Sequence, residues 1–261
     1  MKNKKTLSIA VLGLAILAAT VVSATADIYI KTKRHTDPFT VMGQAQPEKN
    51  EINITWLGKD VARFDMGDQT STIVFPNKGK MIFLNHQDLA YSEMPLNLEL
   101  QISKMTEGKE GEEIDEEEKK ARAQSMDMMK KMAGAFMQSM EAKVTPTGET
   151  RKINNWNCRK YIVETSMGMM GKSTSETWAS EEVKADPKLY WMAANATMLQ
   201  QPGFEKILKE MEKIKGFVIM QTTTSEAMGA KITMKDEVEE LTEKAAPAGT
   251  YEIPAGYKEQ K

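Results

Sequence analysis

The amino-acid sequence predicts an α+β fold in which one curved antiparallel sheet of about ten strands is covered by helices. Three observations predict it. Short stretches of alternating apolar residues recur between turn-forming residues, the loops joining them are too short for parallel crossovers, and the helical patterns come as two blocks. Strands that alternated with helices would instead have read as βαβ units.

The chain opens with Lys2, Lys4 and Lys5, an uncharged apolar stretch at 7–22, and the small residues Ala24, Thr25 and Ala26. This is the pattern of a cleavable signal peptide over residues 1–26, leaving a mature domain that starts near Asp27. The apolar stretch is shorter than the roughly 20 residues that span a bilayer, so the competing reading, an uncleaved anchor, is the weaker one. No later segment repeats that pattern, and no transmembrane segment is expected after cleavage. The expected setting is periplasmic or secreted.

Strands follow. Ile52, Ile54 and Trp56 alternate before Gly58, Lys59 and Asp60, and Ala62, Phe64 and Met66 alternate before Gly67 and Asp68. Residues 71–75 and 80–85 are joined by Pro76, Asn77, Lys78 and Gly79, so the first half reads as a meander, extended at its start by 28–33 and 40–43. The stretch 107–120 holds eight acids and almost nothing apolar, and reads as a solvated linker. A helix is expected from 115 to 142, with Met126, Met129, Ala133, Phe136, Met137 and Met140 three or four apart on one face, widened by Met128 and Met132. A second set of strands starts after Pro146, with 160–165 and 173–180 on either side of a Met- and Gly-rich loop at 167–171.

Asp186 and Pro187 read as an N-cap followed by a first helical residue, for a helix reaching about 199. Pro202 and Gly203 interrupt it, and Phe204, Ile207, Leu208, Met211 and Ile214 define a second amphipathic helix. The last strands are 217–224 and 231–241, meeting at Met228 and Gly229.

Composition excludes several functions. Without Lys2, Lys4 and Lys5 the 35 basic residues fall to 32 against 37 acids, a net charge of −5, which argues against nucleic acid as partner. Cys158 is the only cysteine, so no internal disulfide forms, and it reads as a small buried hydrophobe on a strand rather than a nucleophile. His35 and Asp37 are too few for a metal site and read as a solvated loop. Asp65, Glu93 and Glu176 have no partner in a catalytic spacing, and no phosphate loop or serine elbow occurs, so no enzyme activity, cofactor or metal is expected.

Several segments resemble a known family. They are residues 36–43 (Thr-Asp-Pro-Phe-Thr-Val-Met-Gly), the strand at 54–60, Tyr91-Ser92-Glu93-Met94-Pro95, the stretch 145–150 running to Trp156, Asn157 and Cys158, and the closing 251–257. Together these look like the DUF4412 family of bacterial secreted proteins, over nearly the whole of residues 27–261. That family is similar in outline to the lipoprotein carriers of the bacterial envelope, which fold as an incomplete antiparallel barrel closed by helices over an apolar cavity. The resemblance implies a periplasmic setting and a hydrophobic ligand.

The chain contains 21 methionines, several clustered at 126–140 and 167–170. Methionine is flexible and repacks around partners of different shape, so a Met-rich helix would serve as an adaptable lid. The expected cavity is lined by Trp56, Phe64, Trp178 and Ile219 from the sheet and by Met126, Met129, Phe136 and Met137 from the helix. It would hold a lipid, an acyl chain or an apolar peptide segment. Two alternatives stand beside it. One is soft-metal (copper) binding through Met126, Met128, Met129 and Met132, or through Met167, Met169 and Met170. The other is a structural or interaction protein that meets another envelope protein through a sheet edge.

Overall fold

Each short loop in the first half joins antiparallel neighbours. β4 (Lys49–Leu57), β5 (Ala62–Met66), β6 (Thr70–Phe75) and β7 (Lys80–Asn85) form the expected meander, and β8 (Ala90–Pro95) extends it by a strand that was not expected. The computed structural model describes residues 26–97, 100, 120, 121, 123–125, 127, 128, 131, 132, 134, 135, 139–167, 171–183, 185, 187–194, 204–227 and 229–260. The expected leader lies outside these residues apart from Ala26, and β1 (Asp27–Thr36) follows it directly.

The main sheet contains twelve strands rather than about ten, in the order β14-β8-β7-β6-β5-β4-β1-β13-β12-β11-β10-β9. Its second half is built from β9 (Met140–Ile153), β10 (Trp156–Met167), β11 (Lys172–Ser180), β12 (Phe217–Ala227) and β13 (Ala230–Lys244). The first strand thus sits in the middle, flanked by β4 on one side and β13 on the other. All pairings are antiparallel except that of β14 (Lys258–Glu259) with β8. The sheet is open, with β14 and β9 at its two edges, and register shifts at Lys31/Thr32, Arg159/Tyr161 and Trp178/Ala179 mark where strands bend.

Three expectations need correction here. Residues 40–43 belong to a separate two-stranded ribbon, β2 (Phe39–Val41) with β3 (Gln44–Gln46), because Met42 and Gly43 both take positive φ and fold the chain straight back. The strand expected after Pro146 starts instead at Met140, which ends the helix expected to 142 before that point. Pro146 is tolerated inside β9 because an edge strand has one side without a ladder to donate to.

Described residues between 120 and 135 are helical, and Met128 and Met132 there face solvent at 64% and 63% exposure, so they do not widen a buried stripe. Helix α1 (Pro187–Ala194) and helix α2 (Phe204–Met211) lie against the sheet, α1 near β5 and α2 along β9. The two helices meet where Trp191 stacks on Phe204, with centroids 5.5 Å apart. On leaving α2 the chain passes Gly216, whose φ of 91° and a would-be Cβ only 2.2 Å from the Ser180 carbonyl oxygen admit glycine alone.

Candidate functional site

Strand register defines the face on which a site forms. Residues opposite each other in an antiparallel ladder share a face, and alternate residues leave on the other. Ile30, Thr55, Phe64 and Thr72 are successive partners across β1, β4, β5 and β6, so they form one row on the inner face. Helices α1 and α2 lie over this face and leave a groove of about 780 Å³, within the size range of small-ligand sites. Its apolar wall includes Ile30, Phe64, Val74, Met81 and Val238, and its roof includes Tyr190, Ala193, Leu208 and Met211. Tyr190 anchors the roof, its ring 6.1 Å from that of Phe64 and 5.2 Å from that of Phe217.

A second ladder row carries charge. Arg34 pairs with Glu51 on β4 and with Asp236 on β13, and Asp236 pairs with Gln221 on β12. The Arg34 guanidinium donates through Nε to Asp236 Oδ1 at 2.7 Å and through Nη2 to Oδ2 at 3.1 Å, a two-point contact. That contact raises the Arg34 pKa above its ordinary value. Burial between α1 and the sheet raises the pKa of the Tyr190 hydroxyl, the Asp236 carboxylate adds to the rise, and Arg34 opposes it. The groove is therefore apolar along one stretch and polar at Arg34, Asp236, Gln221 and Asn53.

Of the residues expected to line a cavity, Phe64 and Ile219 do so. Trp56 does not. It pairs with Tyr29 on the opposite face, where the two rings lie 4.9 Å apart and Lys244 Nζ sits 3.4 Å above the Tyr29 ring. Trp178 is not a lining residue either, although its ladder partner Met220 is; it is buried in the core with the Arg151 guanidinium 4.1 Å from its ring. Alternation identifies two faces but does not say which is inward, and that is where the expectation for Trp56 failed. Met126, Met129, Phe136 and Met137 lie outside the described residues, as do Met169 and Met170. Sequence reasoning missed Arg34, Asp236, Tyr190, Val74 and Met81 as lining residues. The signal was present for Arg34, which continues the alternation Ile30, Thr32, Arg34 along β1.

The expected loose carboxylates are all engaged. Asp65 accepts from Arg63 Nε at 2.6 Å, Glu93 from Lys80 at 2.8 Å, and Glu176 lies 3.1 Å from Lys160 Nζ. Asp65 belongs to a chain of hydrogen bonds. Ser71 Oγ donates to Asp65 at 2.5 Å and accepts from Arg63 Nη2, so it has no proton left for His86 and must accept from the Nε2–H at 2.6 Å. His86 Nδ1 then accepts from the Tyr257 hydroxyl at 2.6 Å. This inventory points away from a serine nucleophile, because Ser71 is fully buried and its proton goes to the carboxylate. The chain is a clasp that holds the C-terminal segment against β6 and β7.

Cys158 is buried in β10 as expected, and desolvation raises its thiol pKa, which keeps it protonated and inert. His35 is not in a loop but on β1, with its two ring nitrogens 2.9 Å from Asn50 Oδ1 and 3.1 Å from Asp37 Oδ1. Among the described residues no group of three or more His, Cys, Asp or Glu side chains is placed to hold a metal ion. Among those residues, too, no helix is long and apolar enough to cross a membrane.

No curated protein matches the sequence. Solved structures align at low superposition scores. PNGF-II aligns over 90% of this chain with 12% identity and a TM-score of 0.35, and this chain spans 31% of that protein's length. A DUF1329 family protein from Desulfovibrio piger aligns over 88% of this chain and 90% of its own, with 10% identity and a TM-score of 0.29. A putative outer membrane lipoprotein-sorting protein domain from Vibrio parahaemolyticus aligns over 88% and 90%, with 6% identity and a TM-score of 0.32. A family model matches residues 99–257, the stretch that holds β9–β13 and both packed helices. On that match, which spans more than half of its length, the chain belongs to the family described as a domain of unknown function, DUF4412.

Proposed function

We propose that this protein binds a hydrophobic ligand without transforming it, holding a lipid, an acyl chain or an apolar peptide segment in the groove between the inner sheet face and helices α1 and α2. The supporting observation is the groove itself, about 780 Å³ of space walled by Ile30, Phe64, Val74 and Met81 beneath Tyr190. An open groove of this volume over an apolar wall falls in the size range of small-ligand sites, which supports the reading. The Lys-rich start and apolar stretch of the sequence support export, and hence work in the periplasm or outside the cell.

Mass spectrometry of organic extracts from protein purified without detergent tests the reading. Lipid is expected in stoichiometric amount from the unsubstituted protein and in strongly reduced amount from Val74→Asp, whose carboxylate would be placed on the apolar wall. Equal amounts from both proteins would remove the groove as the site.

A further inference from the structure

We propose that the occupant is a single-chain amphiphile with an uncharged, oxygen-bearing head, its chain lying over Ile30, Phe64, Val74 and Met81 and its head at Arg34 and Gln221. The inference rests on the binding role given above and adds the class and direction of the ligand. It follows from the ladder rows, which order the groove wall along the strands. Ala62, Val74 and Met81 form the first row, and Ile30, Thr55, Phe64 and Thr72 the second. Thr32, Asn53 and Met66 form the third, joined by Val238 from β13. Arg34, Glu51, Asp236 and Gln221 form the fourth. Consecutive rows are two residues apart, so the wall passes from apolar to charged over about 20 Å.

A purely apolar occupant would leave the fourth row's donors and acceptors dry and unmatched, whereas a head group with oxygen acceptors completes them. Arg34 supplies the donors, since Asp236 engages two of its five N–H groups and the rest of the fork remains for a carbonyl or hydroxyl oxygen. Charge balance selects the kind of head. Arg34 is offset by Asp236, Asp65 at the groove wall by Arg63 at 2.6 Å, and Glu51 by Lys49 at 2.7 Å. On the helix side Lys215 and Glu212 add one charge of each sign. No surplus charge is left to neutralise an anionic or cationic head, and burying an unpaired ion is costly.

Displacement of the uncharged dye N-phenyl-1-naphthylamine from delipidated protein, followed by its fluorescence, tests this. Monopalmitoylglycerol is expected to displace the dye at about tenfold lower concentration than palmitate or hexadecyltrimethylammonium, the difference that one or two hydrogen bonds to a charged donor supply. In Arg34→Met/Asp236→Leu, which keeps the site neutral, that preference should shrink to about twofold, with displacement referred to the variant's own dye affinity. Arg34→Lys, with one donor point in place of a fork, should fall between the two. Dye that binds but is displaced equally well by the charged amphiphiles, or a preference that survives the double substitution, overturns the head-group assignment alone. Dye that does not bind at all overturns both this inference and the groove as a hydrophobic site.

Discussion

Arg34 and Asp236 stand 202 residues apart in sequence and 2.7 Å apart in space, joining the first strand to the last long strand of the sheet. Because β1 lies between β4 and β13, this contact sits where the two halves of the molecule meet. Each side chain is about a third exposed, so solvent screens the pair. A double-mutant cycle with Arg34→Ala and Asp236→Ala, read by urea unfolding, should give a coupling of about 1 kcal/mol. A coupling indistinguishable from zero would mean that this pair adds nothing to the junction beyond backbone pairing, the Lys31–Glu239 ion pair and the packing of Ile30 and Val238.

Gly216 makes the sharpest stability prediction. Its φ of 91° and the Ser180 carbonyl 2.2 Å from a would-be Cβ mean that any side chain must displace backbone. Gly216→Ala should lower unfolding free energy by about 3 kcal/mol or more, seen as a drop in urea midpoint. Gly249→Ala, which has positive φ but open space around its Cβ, should cost less, on the order of 1 kcal/mol.

Helix α2 should loosen in acid. Glu210 accepts from the Val144 backbone N–H at 2.9 Å and pairs with Lys213 at 2.6 Å, and Lys213 first, then Val144, lower its pKa. A carboxylate with a depressed folded pKa adds stability that is present above its unfolded value and is lost as pH falls through the folded one. Hydrogen exchange at the Val144 amide should therefore accelerate as pH drops below the ordinary glutamate range, once corrected for intrinsic rates. Glu210→Gln should remove most of that pH dependence.

The clasp at Ser71, His86 and Tyr257 should hold the C-terminal segment in place. Tyr257→Phe removes the hydroxyl donor to His86 Nδ1, a loss of about 1 kcal/mol. Lys258 and Gln260 donate their amides to the carbonyls of Leu89 and Tyr91, so faster exchange at these two amides reports the release. Unchanged protection there would show that the apolar contacts of Tyr251 and Ile253 with the cluster of Ile73, Ile82 and Leu84 suffice alone.

Cys158 should resist thiol reagents while the protein is folded. It is 1% exposed, and burial raises its pKa. Labelling by a disulfide reagent at pH 8 should be slow in buffer and complete within minutes in denaturant. Rapid labelling of the folded protein would place the thiol in an open position that the β10 packing contradicts.

Much of the architecture was legible in the residues. Alternation at Ala62, Phe64 and Met66, and the turn at Pro76–Lys78 closed by Gly79 at φ 62°, located the meander. Pro187 began α1 and the spacing of Phe204, Ile207, Leu208 and Met211 located α2, because helix starts and amphipathic periods are local properties. Two strand features were less legible. β9 alternates only over Met140–Val144 and is then exposed as far as Lys152, and β14 is two residues long and exists only through its pairing with β8.

The sequence by itself determined where most of the strands and turns and the starts of α1 and α2 form, since each depends on neighbours a few positions away. Tertiary structure alone decided that β1 lies at the centre of the sheet and that Phe64 faces the groove while Trp56 faces away. It also brought Arg34, Asp236 and Tyr190 together. A period of two marks two faces equally, and only the packing of distant segments makes one of them inner.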